Sequence, residues 1–208
     1  MVMYNHREKF LWFTVKVGII FSKLGLSPNQ WTLFSLVPTF IALYFLIKEA
    51  FLPAAILFII ASFIDIVDGS VAKVTGRVTK FGGYLDNVID RYVEGIIIFG
   101  LLFASLPNLV ISGFTIPLPA LVVIYLFGGM MTTYSKAAAM EREVIEKELK
   151  GGLIQRAERL LILFVGILLA VINPLYLTYV IALLGFLSNI TAIQRVLIVW
   201  RKSKAVSG

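Results

Sequence analysis

The chain has no cysteine and a single histidine, His6, among its 208 residues. Without thiols there is no disulfide framework, no thiol nucleophile and no thiolate ligand, and one histidine near the terminus does not make a zinc site. Charge is scarce as well: Asp, Glu, Lys and Arg together make up 15% of the residues, against 59% hydrophobic. A soluble domain carries about 45–50% apolar residues, so this composition is that of a polytopic membrane protein organised as one domain, residues 1–208. No short apolar run followed by a small-residue cleavage site opens the chain, so no removable signal is expected. Internal repeats and low-complexity tracts are also missing. The net charge is +7, but the basic residues are spread over short segments, which argues against a nucleic-acid partner. They fit the bias of membrane loops and an attraction to anionic lipids and phosphorylated substrates.

The apolar runs predict an all-α membrane protein with six transmembrane helices after an N-terminal interfacial helix. Over residues 4–24, Lys9, Lys16 and Lys23 recur every seven residues among Phe10, Leu11, Phe13, Val17, Ile20 and Phe21. That pattern suits an amphipathic helix lying in the membrane interface better than a span. Ser27 and Pro28 then start the next helix. The spans are expected at about residues 29–47, 52–73, 80–106, 118–140, 157–172 and 175–199. Residues 107–119 hold Pro107, Gly113, Pro117 and Pro119 and no charge, and read as a loop. Nearly all Lys and Arg fall in the N-terminus, the 73–80 turn, the 136–159 loop and the C-terminus. With six spans these lie on one side, which predicts both termini on the cytoplasmic face of the cell membrane.

Against this background one stretch, Asp65 to Asp90, stands out. Asp65 and Asp68 are i, i+3, and Asp86 and Asp90 are i, i+4, so on helices each pair shares one face. Gly76, Lys73, Arg77 and Lys80 lie between the pairs and suit a polar turn joining two antiparallel helices. A carboxylate in a membrane segment costs at least a few kcal/mol unless compensated. Several side by side cannot all ionise without a strong cation. Oxygen ligands alone select hard ions such as Mg²⁺, Mn²⁺ or Ca²⁺.

The stretch resembles the signature of the CDP-alcohol phosphotransferase family, D-x2-D-G-x2-A-R-x8-G-x3-D-x3-D. It runs here through Asp65, Asp68, Gly69, Ala72, Lys73, Gly82, Asp86 and Asp90 with every spacing kept; Lys73 stands where the family usually has Arg. The resemblance implies a membrane enzyme moving a phosphatidyl- or archaetidyl-type group from a CDP-linked lipid to an acceptor hydroxyl, with release of CMP. It implies two divalent cations, Mg²⁺ first and Mn²⁺ second, on Asp65, Asp68, Asp86 and Asp90, with Asp90 also the base for the hydroxyl proton. It places the CDP donor near Pro28, Asn29, Gln30, Trp31, Gly69, Ala72, Lys73, Thr79 and Gly82, and it implies a homodimer. The small residues Gly69, Ala72 and Gly82 read equally as close helix packing or as room for a nucleotide; the family pattern favours the second. Lys73 offers a point charge in place of the fork of Arg.

The acceptor is the more open question. Arg156 and Arg159, again i, i+3, together with Lys136 suit a phosphorylated acceptor, and equally the anchoring of helix ends. The arrangement is similar to the branch of the family that makes phosphatidylinositol phosphate or archaetidylinositol phosphate from inositol 1-phosphate. Glycerol 3-phosphate, serine, or CDP-inositol with inositol phosphate are the alternatives within the family. Outside enzymes, a divalent-cation transporter also needs intramembrane acids, but nearer the midplane and with a path to both sides.

Overall fold

The computed structural model describes the backbone over residues 2–145 and 151–206, and side chains over residues 11–145 and 151–203. His6, Lys9, Phe10 and Lys204, and the charged residues of 146–150, lie outside the described side chains. The elements in chain order are α1 (Val2–Ser22), α2 (Pro28–Phe34), α3 (Leu36–Ile47), α4 (Phe51–Val74), α5 (Lys80–Leu101), β1 (Leu109–Ile111), β2 (Phe114–Ile116), α6 (Leu118–Glu141), α7 (Arg156–Ala170) and α8 (Pro174–Val206). The protein is thus mostly helical, and its apolar helices make it a multi-pass membrane protein. Among the described residues, four stretches are long and apolar enough to cross a membrane: Pro28–Ile47, Phe51–Val74, Leu118–Glu141 and Pro174–Ser203. Helices also occupy the other two expected spans. However, α5 carries Asp86, Asp90, Arg91 and Glu94 within its length, and α7 has only 15 residues.

Local chemistry explains the breaks. Ser27 accepts from the backbone of Gln30 while the Gln30 side chain accepts from the backbone of Ser27, and Pro28 occupies the first turn of α2. This is a complete capping box. The chain then keeps helical dihedrals through Ser35 into α3. The interruption is explained by Pro38, which has no N–H to give the carbonyl four residues back, that of Phe34. The uncharged loop after α5 contains a hairpin that the composition did not announce. β1 pairs antiparallel with β2, joined by Ser112 and Gly113, both at positive φ (49° and 86°). A two-residue loop of that handedness matches the twist of the strands it joins.

The chain forms two compact units. The first, residues 1–46 and 53–97, contains α1, α2, most of α3, and nearly all of α4 and α5. Its core joins Val17 of α1, Trp31 of α2, and Ile64, Val67 and Val71 of α4, with Phe21 packed edge-on against Trp31. At Gly18 the α1 backbone runs against α4 so closely that an added Cβ would sit 2.6 Å from the Ser70 carbonyl oxygen and from Val74. Thr14, Val17 and Gly18 are therefore the buried stripe of α1, while Leu11, Trp12, Phe13, Val15, Ile19 and Ile20 stay exposed. The second unit, residues 47–52 and 98–208, is built on α8. Asn189 of α8 donates to the Ile124 carbonyl of α6 at 2.9 Å, and a Cβ on Gly128 of α6 would lie 2.5 Å from the Asn189 amide nitrogen. Gly166 of α7 meets Val180 in the same way. Close approach through small residues is how helices associate where no hydrophobic effect drives them together.

Gly18→Ala tests the α1–α4 contact because two effects of different size oppose each other. Better helix propensity favours Ala by about 1 kcal/mol, while overpacking against a backbone carbonyl costs about 1–3 kcal/mol. The variant should therefore melt below wild type in detergent. Gly95→Ala on α5, where a Cβ meets nothing within 4 Å, should melt at or above wild type.

Candidate functional site

The turn between α4 and α5 organises the first unit's polar groups. α4 ends where the Arg77 amide bonds back to the Ala72 carbonyl at 2.9 Å and Gly76 takes φ 67°. α5 starts where the Gly82 amide donates to Thr79 Oγ1 at 2.9 Å, so Thr79 is its N-cap. Asp65 and Asp68 lie upstream on α4, and Asp86 and Asp90 downstream on α5. One carboxylate oxygen each from Asp65, Asp86 and Asp90 lies within 4.8 Å of the other two. Opposite oxygen ligands stand about 4 Å apart across Mg²⁺ and about 5 Å across Ca²⁺, so these three are close enough to share one hard divalent cation. Asp68 stands beside that trio and is held differently. It is 4% exposed, and its Oδ2 accepts from Thr32 Oγ1 of α2 at 2.5 Å. Arg91, next to Asp90, lies 3.8 Å from its Oδ2 and donates to Glu94 Oε2 at 3.1 Å.

An open cavity lies against two of these acids, Asp68 and Asp86. Pro28, Asn29, Gly69, Ala72, Lys73, Thr79 and Gly82 line it together with Asp68 and Asp86. Of the residues expected around the donor, Gln30 and Trp31 are placed elsewhere: Gln30 caps α2, and Trp31 is buried in the core. The small residues divide by surroundings. A Cβ on Gly69 would meet nothing within 4 Å, so its size leaves open space in the cavity. A Cβ on Gly82 would lie 3.0 Å from Thr79 Oγ1 and 3.2 Å from Asn29 Oδ1, so there the lack of a side chain brings the α5 start up to α2. Thr32, Arg77, Val78 and Gly83 also line the cavity. Thr32 lies one turn beyond Pro28, a spacing the sequence displays but gives no reason to single out.

The second unit gathers charge of the opposite sign. Arg159 of α7 is 1% exposed and donates to Thr132 Oγ1 of α6 at 3.1 Å. Arg195 of α8 donates to the Thr132 carbonyl at 2.5 Å and lies close enough to Arg159 for their charges to interact. Lys136 sits one turn beyond Thr132 and is half-buried, as is Arg156 at the start of α7. Arg156 and Arg159 therefore do not present themselves alike. Arg195 has no neighbouring motif in the sequence; only the packing of α8 against α6 reveals it.

The fold has counterparts among known proteins. The family model described as CDP-alcohol phosphatidyltransferase matches residues 26–200. The chain belongs to the CDP-alcohol phosphatidyltransferase family. It is a membrane transferase of that class. It is 33% identical over 188 residues to an archaetidylinositol phosphate synthase of Pyrococcus horikoshii, covering 87% of each chain. Its fold is similar to that of the Mycobacterium tuberculosis phosphatidylinositol phosphate synthase crystallised with CDP-DAG bound, with TM-score 0.76 and 27% identity over 90% of this chain and 93% of that one. The same mycobacterial enzyme in complex with manganese and citrate also matches at TM-score 0.76 and 27% identity, over 90% of this chain and 88% of that one.

The cluster's own charge supplies a test in this family member. Asp86→Asn removes one of several adjacent like charges, so the metal-free protein should melt higher than wild type. It should also lose most of the stabilisation that added Mn²⁺ gives, since a ligand stabilises only in proportion to its affinity for the folded state. A variant that gains as much from Mn²⁺ as wild type would remove Asp86 from the cation site.

Proposed function

We propose that the protein transfers a phosphatidyl- or archaetidyl-type group from a CDP-linked lipid to a hydroxyl of inositol 1-phosphate, releasing CMP. The observation that carries the acceptor is the convergence of Arg159 and Arg195 on Thr132, in a chain whose other unit already gathers the acids that phosphoryl transfer needs. Two guanidinium groups held around one buried threonine suit a phosphate, which takes paired N–H donors. A neutral acceptor such as free inositol needs no such pair. The names of the archaeal and mycobacterial relatives support the same acceptor.

In this reading Asp65, Asp68, Asp86 and Asp90 hold two divalent cations, Mg²⁺ in the cell with Mn²⁺ as a substitute. When bound, such ions neutralise the pyrophosphate and the departing CMP. Pro28, Asn29, Gly69, Ala72, Lys73, Thr79 and Gly82 shape the donor's cavity, and the cations Lys73 and Arg77 on its wall attract the diphosphate. The acceptor oxygen forms a bond to the lipid-bearing phosphorus, the bond from that phosphorus to the CMP oxygen breaks, and Asp90 takes the hydroxyl proton. Lys136, Arg156, Arg159 and Arg195 bind the acceptor's phosphate. The single family model over residues 26–200 supports one functional domain for the whole chain. Six spans with α1 in the interface, both termini and the aspartates toward the cytoplasm, and a homodimer complete the proposal; the distribution of basic residues supports the orientation.

The deciding assay measures CMP release from a CDP-lipid in detergent with Mg²⁺ and single acceptors. Inositol phosphate should react, while free inositol, serine and glycerol 3-phosphate should not. A hydrogen bond to a charged group contributes about 1.5–3 kcal/mol, which is roughly a ten- to hundredfold change in affinity. Arg156→Ala and Arg195→Ala should raise the KM for inositol phosphate by that factor and leave the donor KM nearly unchanged. Equal use of free inositol would refute the acceptor, and a loss of donor affinity in the arginine variants would refute their assignment.

Asp90→Asn separates the base from the binding groups. Losing a general base typically lowers the rate about 10²–10⁴-fold, so kcat should fall by that order with donor affinity kept. An unchanged kcat would take the proton-accepting role away from Asp90.

A further inference from the structure

The Thr32–Asp68 contact stands apart from the rest of the acid cluster. Both side chains are buried, 5% and 4% exposed, and they come from helices 36 residues apart in sequence. Asp65, Asp86 and Asp90 come together from α4 and α5, and Asp68 of α4 is tied by its Oδ2 to α2. Thr32 Oγ1 also lies 3.1 Å from the Pro28 carbonyl oxygen, a second acceptor one turn back. A hydroxyl has one hydrogen to give. Donated to a carboxylate, it forms a charge-assisted bond roughly twice as strong as one to a neutral carbonyl, so Asp68 takes it. That bond engages one lone pair of Oδ2 and restrains the carboxylate, whose remaining lone pairs can face a cation. It also fastens the turn of α2 whose Pro28 and Asn29 line the cavity beside Asp68.

We propose that Thr32 is a positioning residue: its hydroxyl holds the Asp68 carboxylate in the orientation that binds a divalent cation, and so sets the metal affinity of the site. The inference rests on Asp68 being a ligand, as proposed above. Groups that hydrogen-bond a metal's ligands usually change its affinity about 10–100-fold when removed.

The test is Mn²⁺ binding to the purified full-length protein in detergent, read by electron paramagnetic resonance as free Mn²⁺ disappears. Thr32→Val keeps the shape and removes the hydroxyl, and should weaken Mn²⁺ binding by about 10–100-fold. Thr32→Ser restores the hydroxyl and should recover most of that affinity, which a purely packing role for the threonine would not allow. In turnover, Thr32→Val should raise the Mn²⁺ concentration for half-maximal rate, and Thr32→Ser should bring it back toward the wild-type value. Thr32→Ala gives the same readout if the valine form does not fold. Asp68→Asn is the control. If it weakens Mn²⁺ binding and Thr32→Val does not, the positioning role is overturned while Asp68 remains a ligand. If Asp68→Asn binds Mn²⁺ like wild type, the ligand assignment fails and the inference fails with it. A serine variant that binds as poorly as the valine one also overturns the role of the hydroxyl.

Discussion

Grouping carboxylates inside an apolar chain is the constraint on which the first unit depends. Like charges a few ångströms apart repel. The fold answers with geometry. α4 and α5 are joined by a short turn, so Asp65 faces Asp86 and Asp90 across a gap that suits one hard cation. Asp68 is held aside by Thr32, and the guanidinium of Arg91 lies beside Asp90. The backing of α4 belongs to the same solution. Gly18 brings α1 into contact with the backbone at Ser70, directly behind the segment that carries Asp68 and Gly69. A helix read from its sequence as lying in the membrane interface thus also braces the chain segment on which the acids depend.

The second unit poses the inverse problem. Arg159 and Arg195 are both drawn to Thr132, one to its hydroxyl and one to its carbonyl. Thr132 in turn donates to the Gly129 carbonyl at 2.7 Å, which fixes the rotamer that receives Arg159. Carboxylates that call for a cation and guanidinium groups that call for an anion are opposite demands. A transferase that handles a diphosphate and a phosphorylated acceptor meets both, whereas a cation channel or carrier has no use for the second.

The acid cluster was legible because its signal is local. Two pairs at helical spacing, separated by a glycine-bearing polar turn, can hardly be placed except facing one another. The long apolar runs of α4, α6 and α8 were legible for the same reason. What escaped notice depends on contacts between distant residues or on single backbone angles. Thr32 and Arg195 gain their meaning from Asp68 and Thr132, 36 and 63 positions away, and no periodicity marks such pairs. The hairpin at Leu109–Ile116 rests on the positive φ of Ser112 and Gly113, in a segment too short to show alternation. Gln30 and Trp31 sit beside Pro28 and Asn29 in sequence, but successive helical positions point in different directions. The four residues therefore divide between the cavity, the cap and the core.

The glycines show where reading a residue type stops being informative. Gly18, Gly69, Gly128 and Gly166 all lie within helices of an apolar chain, and all fit the small-residue pattern of packed membrane helices. In space they part company. Added Cβ atoms at Gly18, Gly128 and Gly166 would strike a neighbouring helix within 2.5–2.7 Å, whereas one at Gly69 would project into open space beside Asp68. At the first three positions smallness is a requirement of the fold, and larger residues there should be felt as lost stability. At Gly69 the fold asks for nothing, since a helix-favouring residue would fit and would raise helix propensity. Keeping glycine there forgoes that stability, and the one thing it leaves in exchange is room in the cavity wall next to a carboxylate. That is the difference between a packing residue and one shaped by what the cavity must admit.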